Sequence, residues 1–348
     1  MYSAPGLENV PGAAYRGRMT GQAGVAPPAA VELEPLPDDL ARVESSLHAS
    51  VRTSDPFLGE VAAHLIGAGG KRVRPMLALC AGYASTTAVR ASDDAITGAV
   101  AVELVHLGSL YHDDVIDEAE TRRGVPSVNA RWSNIVAILA GDFLLARASA
   151  LASSLGADVA GLLAATIGEL CRGQVLELQH LFDVERGEDG YESTIEGKTA
   201  ALFATSCRIG GMVARVSDPT LDALTRFGRH VGLCFQIVDD VLDLTASEIA
   251  LGKPAGQDLL EGVYTLPVIY ALRESPELRE MLGQPIDQEH LAHVRTVAAR
   301  NGAVDAALGV ARDHAVKARD ALEGADGLDA GVSTELGRFV DGLVTRSR

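Results

Sequence analysis

Aromatic side chains are scarce in this chain of 348 residues: one tryptophan, seven tyrosines and seven phenylalanines, 4% in all. So few aromatics, in an Ala- and Leu-rich composition, suit close-packed helices better than sheets. Cysteine is scarce too. Cys80, Cys171, Cys207 and Cys234 stand apart with no C-x-x-C spacing, which excludes a zinc site or disulfide framework and reads as small buried hydrophobes in a reducing compartment. Positive charge is short: 30 Lys and Arg face 47 Asp and Glu, a net charge of −17. That balance argues against nucleic acid and anionic lipid as partners. Charges interrupt each apolar stretch before the roughly 20 residues of a membrane span, and the first twenty residues lack the apolar core of a secretory signal. The expectation is a cytoplasmic protein with no transmembrane segment.

Residues 1 to about 36 are rich in Gly, Ala and Pro without apolar periodicity and are expected to be a disordered N-terminal extension. From Asp38 onward the pattern predicts helices over 38–51, 55–67, 73–89, 91–118, 132–153, 156–182, 191–216, 219–246, 261–273, 287–300, 302–323 and 330–346. No alternating strand segment separates them. One all-α domain over 37–348 accounts for this order.

Within that frame one acidic signature occurs twice. Asp113-Asp114-Val115-Ile116-Asp117 and Asp239-Asp240-Val241-Leu242-Asp243 are both DDxxD, each inside an apolar helical run. The first and last Asp of each copy lie one turn apart and point the same way. An acidic chain also carries Asp pairs by chance, such as Asp38-Asp39 and Asp93-Asp94. Neither is completed by a third Asp a turn later, and both fall near expected helix starts, where solvent reaches. Unpaired carboxylates in apolar surroundings are costly, so two facing DDxxD walls call for cations between them. Oxygen-ligated divalent metal holding a diphosphate meets that need.

Basic residues cluster around these motifs. Gly69-Gly70-Lys71-Arg72-Val73-Arg74-Pro75 is a glycine turn with three cations opening a helix; Lys71 and Arg74, three apart, can reach one anion there. Arg122-Arg123-Gly124 follows the first motif, placed to clamp two different phosphates. His106 lies two turns before Asp113 on nearly the same face and can donate to a phosphate. Lys198-Thr199 stands between the motifs, Gln236 lies three residues before Asp239, and Lys253 lies in a loop past the second motif. Taken singly, each of these last residues reads as ordinary surface or core polarity.

With these motifs in order (GGKRVRP, HLGSLYHDDVIDEAETRRG, GKTAALF, FQIVDDVLD and the closing GKPAGQDLLEGVYTLP), the chain resembles the trans-isoprenyl diphosphate synthases, the polyprenyl synthetase family, over about residues 38–346. The resemblance implies the isoprenoid synthase fold, with helices surrounding a central catalytic cavity, and a homodimer. It implies that Lys71, Arg74, His106 and Arg123 hold isopentenyl diphosphate. Arg122, Lys198, Thr199, Gln236 and Lys253 would then serve the allylic diphosphate and the developing cation. Asp113, Asp117 and Asp239 match the principal Mg2+ ligands, and Asp114, Asp240 and Asp243 the supporting or water-mediated ones. One departure stands out: similar family members often carry a Lys after Glu-Gly in the closing loop, where this chain has Val263.

The implied reaction is head-to-tail addition of isopentenyl diphosphate to an allylic diphosphate. Short-chain members of the family place bulky aromatics as a floor near Gly108 and Ser109; here both positions are small. From Asp113 back to Val102 the helix rises about 16 Å, room for three or four isoprene units. Each unit buried in an apolar tunnel contributes roughly 3–4 kcal/mol. A long-chain all-trans polyprenyl diphosphate is therefore expected, and the resemblance to bacterial enzymes that supply quinone side chains implies the same role. The competing readings are a geranylgeranyl diphosphate synthase, a terpene cyclase, or the non-catalytic subunit of a two-component synthase. A cyclase has no use for the grip of Lys71, Arg74 and Arg123, and a non-catalytic subunit need not keep all six Asp residues.

Overall fold

Several helix starts in this chain are set by short polar caps. In the computed structural model, which describes residues 31–84, 90–245, 255–300, 302–323, 325 and 327–345, α1 (Leu36–Ser50) is followed by α2 (Pro56–Gly67). Asp55 caps α2 by accepting the Phe57 and Leu58 N–H groups, satisfying donors that the first turn leaves open. The next helix, α3 (Val73–Gly82), begins after Arg72 in the left-handed region (φ 47°). Ser92 caps α4 (Asp93–Ile116), and Ser133 caps α6 (Asn134–Ser154). Between them lie a two-residue hairpin, β1 (Thr121–Arg122) with β2 (Val125–Pro126), and the short α5 (Val128–Arg131).

Helix α4 is apolar on every side and buried along most of its length, as a central helix must be. Helix α6 lies along it, and α3 and α9 (Ala201–Val213) cover its other sides. The crossing of α4 and α6 is close at Gly108 and Gly141; a Cβ on Gly108 would lie 3.1 Å from the Gly141 carbonyl oxygen and 3.2 Å from the Leu145 side chain. The 28-residue α10 (Asp218–Thr245) carries the second Asp motif and packs on α9 and on α15 (Ala303–Glu323). The remaining elements are α7 (Ala157–Gln179), α8 (Glu188–Ile195), α11 (Gln257–Glu261), α12 (Leu266–Glu274), α13 (Pro276–Met281), α14 (Gln288–Arg300) and α16 (Ala330–Thr345). Helices thus surround the ends of α4 and α10, the all-α architecture expected.

The segment expected as one helix over 191–216 is broken by a π-turn at Glu196–Ala200. Its cause is a close approach to α7. A Cβ on Gly173 would lie 2.2 Å from the Lys198 backbone nitrogen, and one on Gly197 would lie 2.8 Å from the Glu169 carbonyl oxygen. Two glycines let the backbones meet, and the extra residue of the π-turn turns Lys198 and Thr199 toward the cavity described below.

Several expectations need correction. Residues 1–30 of the expected extension lie outside the described residues, but Val31, Leu33 and Leu36 at its end are buried in the core, so packing begins before residue 37. Asp39 is not solvated: it is buried, and it accepts the Tyr83 hydroxyl at 2.6 Å, the Ala91 N–H at 2.7 Å and Arg42 at 2.7 Å. Burial alone would raise its pKa, but those bonds hold it below the usual carboxylate value. Cys171 is exposed, whereas Cys80, Cys207 and Cys234 are buried. Finally, α6 and α7 are long and apolar enough to cross a membrane, with mean hydropathies of 1.8 and 1.3. Their charges are too few to interrupt them. Each instead splits into a face packed inside the fold and an exposed apolar face with Ile135, Leu139, Val175 and Leu178.

Candidate active site

The first Asp motif ends α4. Asp113 lies in its last turn and Asp117 caps it, donating its N–H to the Asp113 carbonyl at 2.8 Å. Asp117 lines a cavity of about 110 Å3 together with Glu177 of α7, Lys198 and Thr199 of the π-turn, and Gln236 and Asp240 of α10. The two DDxxD motifs therefore face one space. Burial, with Asp117 and Glu177 nearby, pushes the Asp113 carboxyl up to about 6 against the pull of Lys198 and Arg122. The Asp117 carboxyl is raised by burial in the same way. Lys198 donates to Glu177 at 2.5 Å. Burial would lower its pKa, but Glu177 and Asp113 raise it instead, so it stays a cation.

A chain of hydrogen bonds fixes the α10 wall. The Thr199 hydroxyl donates to Gln236 Oε1 at 2.7 Å, Gln236 Nε2 donates to Asp240 Oδ1 at 2.7 Å, and Tyr191 donates to Asp240 Oδ2 at 2.6 Å. Only this amide orientation lets Gln236 donate to the carboxylate, so its oxygen stays on the Thr199 side. Burial raises the Asp240 carboxyl to about 7 despite the Tyr191 and Gln236 bonds. Asp240 thus acts here as the anchor of Tyr191 and Gln236.

A second group of residues gathers cationic side chains beside α4. Arg74 stacks its guanidinium 4.7 Å above the Phe203 ring, and its Nε is buried with no partner. Burial lowers the Arg74 pKa to about 10, with Arg123 acting the same way and Glu103 and Asp239 opposing. Arg123 donates to the Gly69 and Leu65 carbonyl oxygens. A Cβ on Gly70 (φ +150°) would lie 2.8 Å from Arg123 Nη1, so glycine there is what lets Arg123 dock. His106 is held well below its ordinary pKa by burial and by Arg74, Arg123, Arg72 and Arg122, and is neutral, able to donate one N–H. Lys71 stands exposed on the turn.

The remaining expected residues have other surroundings. Asp114 is completely buried and holds Arg122, whose Nε and Nη2 both reach Asp114 Oδ1 at 2.6 Å. Asp239 is half-buried, within electrostatic reach of Arg74 and Asp240. Asp243 is buried, and its carbonyl accepts the Gly256 N–H at 3.0 Å. Gly108 faces α6, whereas Ser109, half-buried, bonds its hydroxyl to the His106 carbonyl at 2.8 Å. Lys253 lies outside the described residues.

Sequence reasoning missed the support of the cationic turn. Arg72 reaches Glu44 with both Nε and Nη2 at 2.9 and 3.0 Å, Glu103 at 2.9 Å, and the Ile66 carbonyl at 3.1 Å. These bonds hold the left-handed turn that presents Lys71 and Arg74. Glu103 was the legible signal: a lone acid in the apolar run 99–105 must be paired if buried.

The donor set suits a hard divalent cation. Asp113 and Asp117 lie one turn apart, burial raises both carboxyls, and Asp117 adds to the charge cost of Asp113. Among the described residues no three acidic, histidine or cysteine side chains converge on one point. A cation held by these carboxylates would complete its shell with diphosphate and water oxygens.

Comparison with known proteins follows the same line. Residues 55–299 match the polyprenyl synthetase family profile. The chain is 40% identical over 292 residues to "heptaprenyl diphosphate synthase component 2" of Geobacillus stearothermophilus, covering 83% of this chain and 90% of that one. It is 40% identical over 254 residues to a nonaprenyl diphosphate synthase of Mycobacterium tuberculosis, covering 72% and 75%. Among solved structures, a decaprenyl diphosphate synthase from Rhodobacter capsulatus superposes with a TM-score of 0.82 at 33% identity, over 90% of this chain and 97% of that one. A polyprenyl synthase from Caulobacter crescentus, complexed with calcium and isoprenyl diphosphate, gives 0.84 at 32% identity, over 92% and 99%.

Proposed function

The chain belongs to the polyprenyl synthetase family, and from that premise we propose that it adds isopentenyl diphosphate head-to-tail to an allylic diphosphate. The product is a long-chain all-trans polyprenyl diphosphate for quinone side chains, made in the cytoplasm. The observation that carries this reading is that Asp117 and Asp240, from DDxxD motifs more than a hundred residues apart, line one cavity with Lys198, Thr199 and Gln236. The names of the hepta-, nona- and decaprenyl relatives support the long product.

Lys198 lies beside the leaving diphosphate and offsets its charge as the allylic C–O bond breaks, the electron pair staying on oxygen. Mg2+, held by Asp113, Asp117 and Asp239, would supply further charge neutralisation to those oxygens when bound. The Thr199 hydroxyl oxygen and the Gln236 amide oxygen, fixed through Asp240 and Tyr191, aim dipoles toward the electron-deficient carbon. Lys71, Arg74, His106 and Arg123 hold isopentenyl diphosphate with its double bond facing that carbon, and a new C–C bond forms from the alkene pair. The proton lost in restoring the double bond goes to the released diphosphate. Water must be excluded while the cation exists.

The exposed apolar faces of α6 and α7, with Ile135 71% and Leu139 60% exposed, support a homodimer formed by a second copy of the chain. The test is direct. Purified chain, given farnesyl diphosphate, isopentenyl diphosphate and Mg2+, should yield a product longer than twenty carbons by mass spectrometry, and chelation should abolish it. Accumulation at twenty carbons makes it a geranylgeranyl diphosphate synthase. A cyclic hydrocarbon makes it a cyclase, and activity only with an added subunit makes it one component of two.

A further inference from the structure

The cavity between the two motifs is short of positive charge. Asp117, Glu177, Asp240, Asp258 and Glu261 line it against two cations, Lys198 and Arg186, and Lys198 is bonded to Glu177. Arg186 stands in the turn between α7 and α8 and is only 5% exposed. Its Nη1 donates to the Tyr264 carbonyl at 3.2 Å and its Nη2 to the Thr194 hydroxyl at 2.7 Å, while the guanidinium lies 5.7 Å from the Tyr191 ring centroid. Its Nε is buried with no partner. Among the described residues no carboxylate forms an ion pair with it; Glu177, Asp240 and Asp183 act on it only electrostatically, and burial still holds its pKa below the ordinary value. A buried guanidinium left in that condition is costly. A cost of this kind is recovered when an anion enters the cavity, because charge-assisted bonds from a planar fork are strong.

We propose that Arg186 is a further diphosphate-binding residue, contacting the allylic diphosphate from the wall that also carries Val263. Thr194 and the Tyr264 carbonyl hold the fork in place, and the neighbouring Val263 brings no charge to that wall. Arg186 thus provides the positive charge there. The assignment rests on the proposed function for the identity of the anion, while the residue's contact with it is read separately.

Calorimetric titration with farnesyl diphosphate and Mg2+, without isopentenyl diphosphate, provides that reading. Arg186→Met should weaken binding about tenfold, and the KM for isopentenyl diphosphate should move less than twofold. Adding Val263→Lys to Arg186→Met places a cation on the same wall and should restore at least threefold of the loss, which a merely structural role would not allow. Unchanged affinity in Arg186→Met, an equal rise in the isopentenyl diphosphate KM, or no restoration by Val263→Lys would overturn the proposal. If Arg186→Met does not fold, Arg186→Lys decides: weaker binding by at least threefold at an unchanged melting temperature supports the role, and unchanged binding sinks it. A wild-type chain that binds farnesyl diphosphate through Arg186 yet makes no polyprenyl product would defeat the proposed function and leave this contact standing.

Discussion

Arg122 closes on Asp114 with two nitrogens at 2.6 Å, one from each end of its fork, and the acceptor has no exposed surface. Two neighbouring Asp residues of one motif therefore have different partners: Asp114 is tied to an arginine, and Asp113 lies within electrostatic reach of Lys198, Arg122, Asp117 and Glu177.

Neutralising each has a different expected outcome. Asp114→Asn removes the acceptor of both Arg122 bonds and should cost about 1–2 kcal/mol of stability, below the roughly 3–5 kcal/mol for breaking a buried pair, because Arg122 is partly exposed and burial already raises the Asp114 carboxyl above its ordinary value. Asp113→Asn should cut turnover at least about 100-fold without lowering the melting temperature. The Asp113 pKa is raised to about 6, so the fold favours its protonated form. Its contribution is therefore greatest below the unfolded pKa near 3.8 and is lost as pH rises through 6. At pH 7.5 the carboxylate costs stability that Asn removes. Thermal melts at that pH check both variants, and a lower melting temperature for Asp113→Asn would contradict the argument.

The π-turn is open to a steric test. Gly173→Ala places a methyl 2.2 Å from the Lys198 nitrogen, an overlap that only backbone movement relieves. Activity should fall at least tenfold with Lys198 displaced, and stability by about 1–3 kcal/mol. Full activity would mean that the π-turn does not position Lys198.

Product length should respond unequally at the two floor positions. Ser109→Phe should shorten the product, read as a lower mass of the main polyprenyl species. Gly108→Phe should destabilise instead, since its side chain meets Gly141 and Leu145 of α6 within 3.2 Å. A shortened product from a fully stable Gly108→Phe enzyme would refute this division.

Acid should loosen the contact of α10 with α15. His230 and His314 bring their Nδ1 atoms within 3.1 Å, one donating to the other. Burial and then Arg229 for His230, and burial and then His230 for His314, lower both to about 4. Lys317 pushes both down as well, while Glu196 opposes for His230 and Asp313 for His314. Depressed histidines favour the neutral fold, so their contribution is complete above pH 6.5 and is lost as pH falls toward 4. Between pH 7 and 5 the pair should cost about 2–3 kcal/mol once solvent screening of the partly exposed rings is discounted, measured by denaturant melts. His314→Gln should flatten that slope, and an unaltered slope would show that other groups set it.

How much could be read in advance follows from which interactions are local. Helix order was legible because apolar periodicity and caps such as Asp55 and Ser92 act within a turn or two. The DDxxD copies were legible because i,i+4 spacing alone aligns two carboxylates on a helix. Arg72 read only as one more cation in a basic turn, since Glu44 and Glu103 lie 28 and 31 residues away. Asp39 read as a solvent-reached residue near a helix start because its partners Tyr83 and Ala91 lie 44 and 52 residues away.

The sequence by itself determined that this chain is a bundle of helices carrying two acid motifs and a cationic turn, since each of these depends on neighbours close in sequence. Only tertiary structure decided which charges are committed to the fold and which remain for the cavity. Asp114 was taken up by Arg122, while Arg186 was brought in from a loop and left with an unpaired Nε. Long-range packing makes that division, because burial sets the cost of a bare charge and geometry determines which partner can meet it.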